Sequence, residues 1–187
     1  MEIYWIRHSK TLAPEGLCYG FLDVDLQEGF EEDIKRIKDK TGEIDGIFSS
    51  PLKRCRSISE HLANNLPVQY DSNLKELNFG AWEGQEWNSI DKQVLSNWMA
   101  DFVTVKCPEG ENYQELCERV VLFWNGLTKS NYKKVAIVTH GGVIRSILSH
   151  ILSIPLEKSF KLRIDLGSIS LTEVKGDHTS IHYINYR

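Results

Sequence analysis

Val135-Ala136-Ile137-Val138-Thr139-His140-Gly141-Gly142-Val143-Ile144 decides the fold. Four short apolar residues in a row read as a buried strand, two glycines turn the chain, and Val143, Ile144, Ile147, Leu148 and Ile151 then recur at helical spacing. The same strand, turn, helix order occurs twice upstream. Ile3 to Ile6 is an apolar run closed by Arg7-His8, and beyond a loop Phe30, Ile34 and Ile37 mark a helix. Ile44 to Phe48 is the second run. Ser50-Pro51 after it reads as a helix start, with Ser as cap and Pro at the first helical position, and Leu52, Cys55, Ile58, Leu62 and Leu66 form the buried stripe.

Repeated units of this kind predict an α/β fold: a three-layer α/β/α sandwich around a mainly parallel sheet, joined by right-handed crossovers. The remaining segments decorate that frame. Residues 68–110, rich in aromatics and Asn, read as an excursion or lid over the top of the sheet. A helix follows from Glu111 to Leu127, with Tyr113, Leu116, Val120, Trp124 and Leu127 on one face. Phe160, Leu162 and Ile164 alternate, and Ile169, Leu171, Ile181 and Tyr183 flank Lys175-Gly176-Asp177, predicting an antiparallel hairpin at the sheet edge. With no repeat or linker, residues 1–187 are expected to form one domain.

Composition narrows the function. A net charge of -4 supplies no diffuse basic field, so nucleic acid is not an expected partner and any anion site must be local. The longest stretch without Asp, Glu, Lys or Arg, Ser146 to Leu156, is far short of the roughly 20 apolar residues needed to span a bilayer. No leader pattern precedes Ile3, which makes a cytoplasmic location the default expectation. Cys18, Cys55, Cys107 and Cys117 show no C-x-x-C spacing and are expected as reduced thiols rather than metal ligands.

Ligands of open α/β sheets sit beyond the carboxyl ends of the strands. There the sequence places Arg7-His8, the Ser49 to Arg54 segment and Thr139-His140, with Glu76 on the nearby excursion. Two imidazoles, two guanidiniums and a carboxyl suit a phosphoryl group, because Arg's planar fork matches phosphate oxygens. Arg54 lies near a helix's positive end, and Gly141 and Gly142 open another helix whose N–H groups can form an anion nest. Neighbouring cations favour a neutral His8, which can attack phosphorus in line and form a phosphohistidine. The leaving alcohol then needs a proton, which Glu76 can supply before acting as base toward water. Glu83 is the rival acid, though a carboxylate between Trp82 and Gly84 can equally hold the loop through backbone N–H groups.

These segments resemble the histidine phosphatase (phosphoglycerate mutase-like) superfamily. Arg7-His8-Ser9-Lys10-Thr11 is similar to its R-H-G-x-T signature, Ser49-Ser50-Pro51-Leu52-Lys53-Arg54 to its S-S-P-L-x-R block, Glu76-Leu77 through Gly84 to its acid-bearing segment, and Val138 to Gly142 to its last block. The resemblance implies His8 as the phosphorylated residue, Glu76 as acid/base, and Arg7, Arg54 and His140 as the phosphate pocket, with no metal and no cofactor. Ser9 departs from the usual Gly, and its Cβ restricts φ. Asn112 departs from the usual Ser of P-x-G-E-S. Gly16-x-Cys18-Tyr19-Gly20 with Asp23-Val24-Asp25-Leu26 resembles the loop of α-ribazole phosphatases, implying α-ribazole 5'-phosphate of cobalamin biosynthesis as substrate. Thr11, Cys18, Tyr19, Gly20 and Gly141 join Arg7, Arg54 and His140 as expected substrate contacts, although Cys18 reads equally well as a small uncharged loop residue.

Alternatives follow from the same residues. A mutase would return the phosphoryl group to the substrate, a hydrolase could hold a metal on His8, His140, Glu76 and a nearby Asp, and a phospho-ligand binding module would have lost turnover at Ser9. No H-x-H or H-E-x-x-H spacing favours the metal. His61, His150, His178 and His182 lack a partnering block, Arg145 reads as a structural ion-pair partner, and Phe79, Trp82, Trp87 and Trp98 read as core or lid packing. The expected partner is a small phosphate ester, and the protein a monomer or homodimer.

Overall fold

A computed structural model describes residues 1–187, in which six strands form one sheet in the order β3-β2-β4-β1-β5-β6. Strands β1 (Glu2–Arg7), β2 (Gly46–Ser49), β3 (Val68–Tyr70) and β4 (Lys134–Thr139) run parallel, while β5 (Ile169–Lys175) and β6 (His178–Tyr186) add an antiparallel edge. The mainly parallel sandwich read from the sequence is the fold observed. Lys175 pairs with His178, so the expected hairpin closes through a two-residue turn at Gly176-Asp177, with Gly176 at φ 58.

Strand β1 shows how the layers are specified. Successive side chains point to opposite faces. Ile3 and Trp5 enter a core with Leu116, Val120, Val143 and Ile147 of α4 (Tyr113–Leu127) and α5 (Gly141–Leu152), the helices that follow the short α3 (Lys92–Ala100). Tyr4 and Ile6 enter the opposite core with Ile34, Ile37, Cys55, Ile58 and Leu62 of α1 (Phe30–Thr41) and α2 (Lys53–Leu62). Both faces of β1 and β4 are thus covered, as expected of a parallel sheet.

Several boundaries differ from the sequence reading. Val68–Tyr70 pairs with β2 instead of beginning the excursion. Helix α2 starts at Lys53, not Pro51, and its N-cap Leu52 contributes no side-chain cap. Ser50 forms part of the turn before it, its hydroxyl accepting from the Leu52 N–H at 3.4 Å and meeting a second partner, described below. Phe160 and Leu162 belong to a 3-10 segment and its cap over Leu156–Lys161 rather than a strand. The Asn112 departure is neutral in chemistry: Asn112 caps α4, accepting from the Glu115 N–H in a capping box that Ser would also form. No helix is long and apolar enough to cross a membrane.

Register brings the site together. Arg7 pairs with Thr139 and Ser49 with Val138, so β1, β2 and β4 end within one residue of one another. The next residues, His8, Ser50 and His140, therefore share one edge.

Candidate active site

His8 is 3% exposed and its ring lies edge-on to that of His140, centroids 5.2 Å apart. The His8 Nδ1 meets the Ser9 carbonyl at 2.8 Å. A carbonyl only accepts, so Nδ1 carries the proton and Nε2 keeps its lone pair for chemistry. Burial pushes the His8 imidazole well below the usual histidine range, and Arg54 and Arg7 act in the same direction. The ring is neutral at physiological pH.

His140 is polarised in the opposite sense. Its Nδ1 accepts from Arg54 Nε at 3.3 Å, which places the proton on Nε2, 2.8 Å from the Ser50 hydroxyl. Burial, then Arg54 and His8, holds this imidazole low as well. Ser50 is a site residue that the sequence reading spent on a helix cap. Cys55 lies 3.5 Å from His140 Nε2, and burial pushes its thiol up to about 12. It is packing, not a thiolate.

Arg54 sits in the first turn of α2, where the helix dipole is positive, and is fully buried. Its Nη1 donates to the Leu22 carbonyl at 2.9 Å and its Nη2 to that of Gly20 at 2.5 Å, with Tyr19 stacked 5.3 Å from the guanidinium carbon. Arg7 donates from Nη1 to Ile164 O at 2.6 Å, while its buried Nε has no protein acceptor. A buried cationic donor without a partner is costly unless a ligand supplies the acceptor. Arg7 packs against Gly141, where a Cβ would come within 3.2 Å of the guanidinium.

Glu76 accepts from the Gly142 N–H through Oε2 at 3.1 Å and from the Leu77 N–H through Oε1 at 3.0 Å. A Cβ on Gly142 would overlap that carboxylate. The second glycine of the expected anion nest thus holds the acid rather than a phosphate. The backbone around Glu76 is fixed by Arg119, which donates to the carbonyls of Asn73, Lys75 and Glu76 at 2.7, 2.7 and 2.8 Å and pairs bidentately with Glu111. Arg119 and Glu111 escaped the sequence reading because they lie on a different element from the group they position.

Glu83 has a different task from Glu76. Its carboxylate accepts from the N–H groups of Gly20, Phe21, Leu22 and Phe79 at 2.8 to 2.9 Å. It therefore fixes the loop whose carbonyls hold Arg54. Glu83→Ala is expected to lower stability by about 2 to 3 kcal/mol, with Glu83→Gln costing less because one acceptor oxygen remains. Urea midpoints of the two variants check this, and equal losses would argue against the loop clamp.

The other expected contacts divide. Thr11 donates to the Tyr19 hydroxyl at 3.2 Å, and both line an open groove of about 660 Å³ beside the site. Gly20 touches Arg54 through its carbonyl. Cys18 is fully buried in the larger core, away from any substrate, which is a packing role that neither of its readings from sequence named. Arg145 is not an ion-pair partner: it donates from Nε to Leu162 O at 3.0 Å, its guanidinium carbon lies 5.0 Å from the Phe160 ring, and it lines a cavity of about 110 Å³ with Glu76. Phe79, Trp98, Phe102, Tyr113 and Phe160 form most of that cavity's walls. The aromatics Phe79, Trp82, Trp87 and Trp98 pack on one another mainly edge to face, with Trp82 in the larger core and the other three against it.

The neutral histidines give stability a pH dependence. Both have folded values well below the unfolded 6.5, so below about pH 6.5 the unfolded chain binds protons that the folded chain excludes. Stability is retained above that pH and lost as pH falls, by about 1.4 kcal/mol per pH unit for each imidazole. Urea unfolding between pH 7.5 and 5.5 should show a steeper loss for wild type than for His8→Gln. Identical slopes would contradict the assigned neutral state.

The chain is similar to known proteins over almost its whole length. The histidine phosphatase superfamily (branch 1) pattern matches residues 3–187. A Hydrogenobacter thermophilus protein provisionally named phosphoserine phosphatase 2 is 30% identical, the alignment covering 98% of this chain and 95% of that protein. The adenosylcobalamin/alpha-ribazole phosphatase of Escherichia coli K12 is 25% identical over 100% of this chain and 97% of its own. The crystal structure of the alpha-ribazole phosphatase from Shigella flexneri superimposes with a TM-score of 0.91 at 25% identity, covering 100% of this chain and 96% of that one. With its catalytic-type blocks gathered at one sheet edge and its pattern matched almost end to end, the chain belongs to the histidine phosphatase superfamily and is a phosphatase.

Proposed function

We propose that this phosphatase hydrolyses a small phosphate monoester without a metal, through a phosphohistidine on His8. The observation that carries the reading is the His8 tautomer: Nδ1–H is held by the Ser9 carbonyl at 2.8 Å, leaving a neutral Nε2 beside Arg7 and Arg54. His8 Nε2 attacks phosphorus while the ester P–O bond breaks, and Glu76 gives its proton to the departing alkoxide. Glu76, now a carboxylate, takes a proton from water as that water displaces His8 from phosphorus. Inorganic phosphate leaves, with His8 neutral and Glu76 protonated again. Arg7 Nε and the surrounding guanidinium charge stabilise the phosphoryl oxygens. Charge supplied by fixed arginines does what a metal ion would otherwise do, and two guanidiniums beside the imidazoles disfavour a cation there.

For the alcohol side we favour α-ribazole 5'-phosphate. Full-length likeness to two alpha-ribazole phosphatases and the Gly16 to Leu26 loop support it, and the aromatic walls around Glu76 suit an apolar, ring-bearing alcohol. Arg145 in the same cavity favours phosphoserine as the second reading, since a guanidinium there could pair with its carboxylate. Release of free phosphate, compared at equal enzyme in kcat/KM for the two esters, tests the choice. A preference for α-ribazole 5'-phosphate that persists in EDTA supports the proposal. Isomerised ester without free phosphate, or activity lost to EDTA and restored by zinc, would overturn it.

A further inference from the structure

Ser9 stands where relatives of this type usually have Gly, yet its backbone is not among the residues with positive φ, so glycine's freedom is not what the position uses. Its side chain has a partner instead. The Ser9 hydroxyl donates to Asp33 Oδ2 at 2.7 Å, and Asp33 lies in the first turn of α1. The other carboxylate oxygen, Oδ1, is paired with Arg36, whose Nη2 also donates to the Gly167 carbonyl at 2.9 Å. The Gly167 N–H donates to the His8 carbonyl at 3.0 Å. Since His8 Nδ1–H donates to the Ser9 carbonyl at 2.8 Å, these contacts close a ring that leaves His8 through its imidazole and returns through its backbone.

Gly167 is fitted to this ring. Its φ is +70, and a Cβ would overlap the Asp33 carboxylate. Asp33 and Arg36 side chains are each 26% exposed, so the pair alone contributes little as a surface ion pair. What it does contribute is a fixed anchor for the Ser9 hydroxyl. Ser9, whose carbonyl sets the His8 tautomer, is thus tied to α1 through its hydroxyl, and the peptide before it is tied to the 165–168 turn through the His8 carbonyl.

We propose that Asp33 is a positioning residue for the nucleophile: through the Ser9 hydroxyl, and with Arg36 and Gly167, it holds the carbonyl that orients the His8 imidazole. Ser9 is the connector of that device, not a mark of a decayed site. Loss of the anchor lets the imidazole leave the in-line geometry without changing the residues that contact substrate, so it appears in the chemical step. The inference rests on His8 being the nucleophile.

The test is a double-mutant cycle on the full chain, with Ser9→Ala, Asp33→Ala and both together, read by burst-phase phosphoenzyme formation from p-nitrophenyl phosphate. Each single variant is expected to slow phosphoenzyme formation about tenfold, with KM changed less than about twofold, and the double variant to be no slower than either. Losses that multiply, a change confined to KM, or a wild-type rate in Ser9→Ala would overturn the inference. Ser9→Gly, which restores the usual family residue but removes the hydroxyl, should be as slow as Ser9→Ala; a wild-type rate there would also overturn it. Should Asp33→Ala fail to fold, the two Ser9 variants decide the matter alone. Absence of any phosphate on His8 in the wild type would defeat the nucleophile reading itself, whereas phosphate trapped at an undiminished rate in Ser9→Ala would defeat only the anchor.

Discussion

His8→Ala is expected to lower kcat by at least about a thousandfold while leaving the fold intact. The size follows from what the residue supplies. Removing a nucleophile forces water to attack the ester directly, and the gain from splitting one displacement into two is lost. Binding should survive, because Arg7 and Arg54 stay in place through contacts to Ile164, Gly20 and Leu22 that do not involve His8. Steady-state kinetics and a phosphate-binding titration separate the two effects. A variant that retains a tenth of wild-type kcat would point to another nucleophile. His140 would be the first suspect, although its Nε2 proton faces Ser50 at 2.8 Å.

Glu76→Gln carries the second large effect, and it depends on the leaving group. The amide oxygen can still accept from one of the two backbone N–H groups that hold the carboxylate, Gly142 or Leu77, so the size and place of the side chain are kept while the transferable proton is lost. Alkyl phosphates, whose alkoxides leave only when protonated, should form phosphoenzyme about a hundred- to a thousandfold more slowly. Aryl phosphates such as p-nitrophenyl phosphate should lose less than about tenfold in the same burst phase. The burst is the correct readout because hydrolysis of phosphohistidine uses Glu76 as base for every substrate. Equal burst losses for both classes would remove Glu76 as the acid. The four backbone N–H groups on Glu83 make it a poor substitute.

Much of this was legible in the sequence because the site is built on regular elements. The apolar runs at Ile3, Ile44 and Val135 announce strands, and in a parallel sheet their carboxyl ends must share an edge, so the sequence alone places His8, Ser49–Arg54 and His140 together. The groups that position those residues were not legible. Arg119 reaches Glu76 from α4 and Asp33 reaches Ser9 from α1, across 43 and 24 residues respectively, and no local periodicity encodes such contacts. Local signals also misled where a tertiary partner outcompeted them. Ser50-Pro51 has the chemistry of a helix start, but the Ser50 hydroxyl meets His140 Nε2 at 2.8 Å and the Leu52 N–H only at 3.4 Å, and the helix begins at Lys53. Phe160 and Leu162 alternate like a strand, yet the chain there turns to carry Phe160 over Phe102 at 5.1 Å as part of the cavity wall.

Arg145 was misread for a related reason. A single Arg in a helix predicts an ion pair, and only the assembled site shows it packed against Phe160, close to where a Cβ on Gly141 would touch both Arg145 and Arg7.

The central claim, a covalent phosphoryl-imidazole on one named residue, is tested most directly by trapping it. The wild-type enzyme is mixed with a phosphomonoester, quenched at alkaline pH where phosphohistidine survives, digested, and sequenced by mass spectrometry. One acid-labile phosphate on the peptide containing His8, absent in His8→Ala, is the predicted result. Phosphate on any other residue, or turnover with no phosphoenzyme on the millisecond scale, would contradict the account.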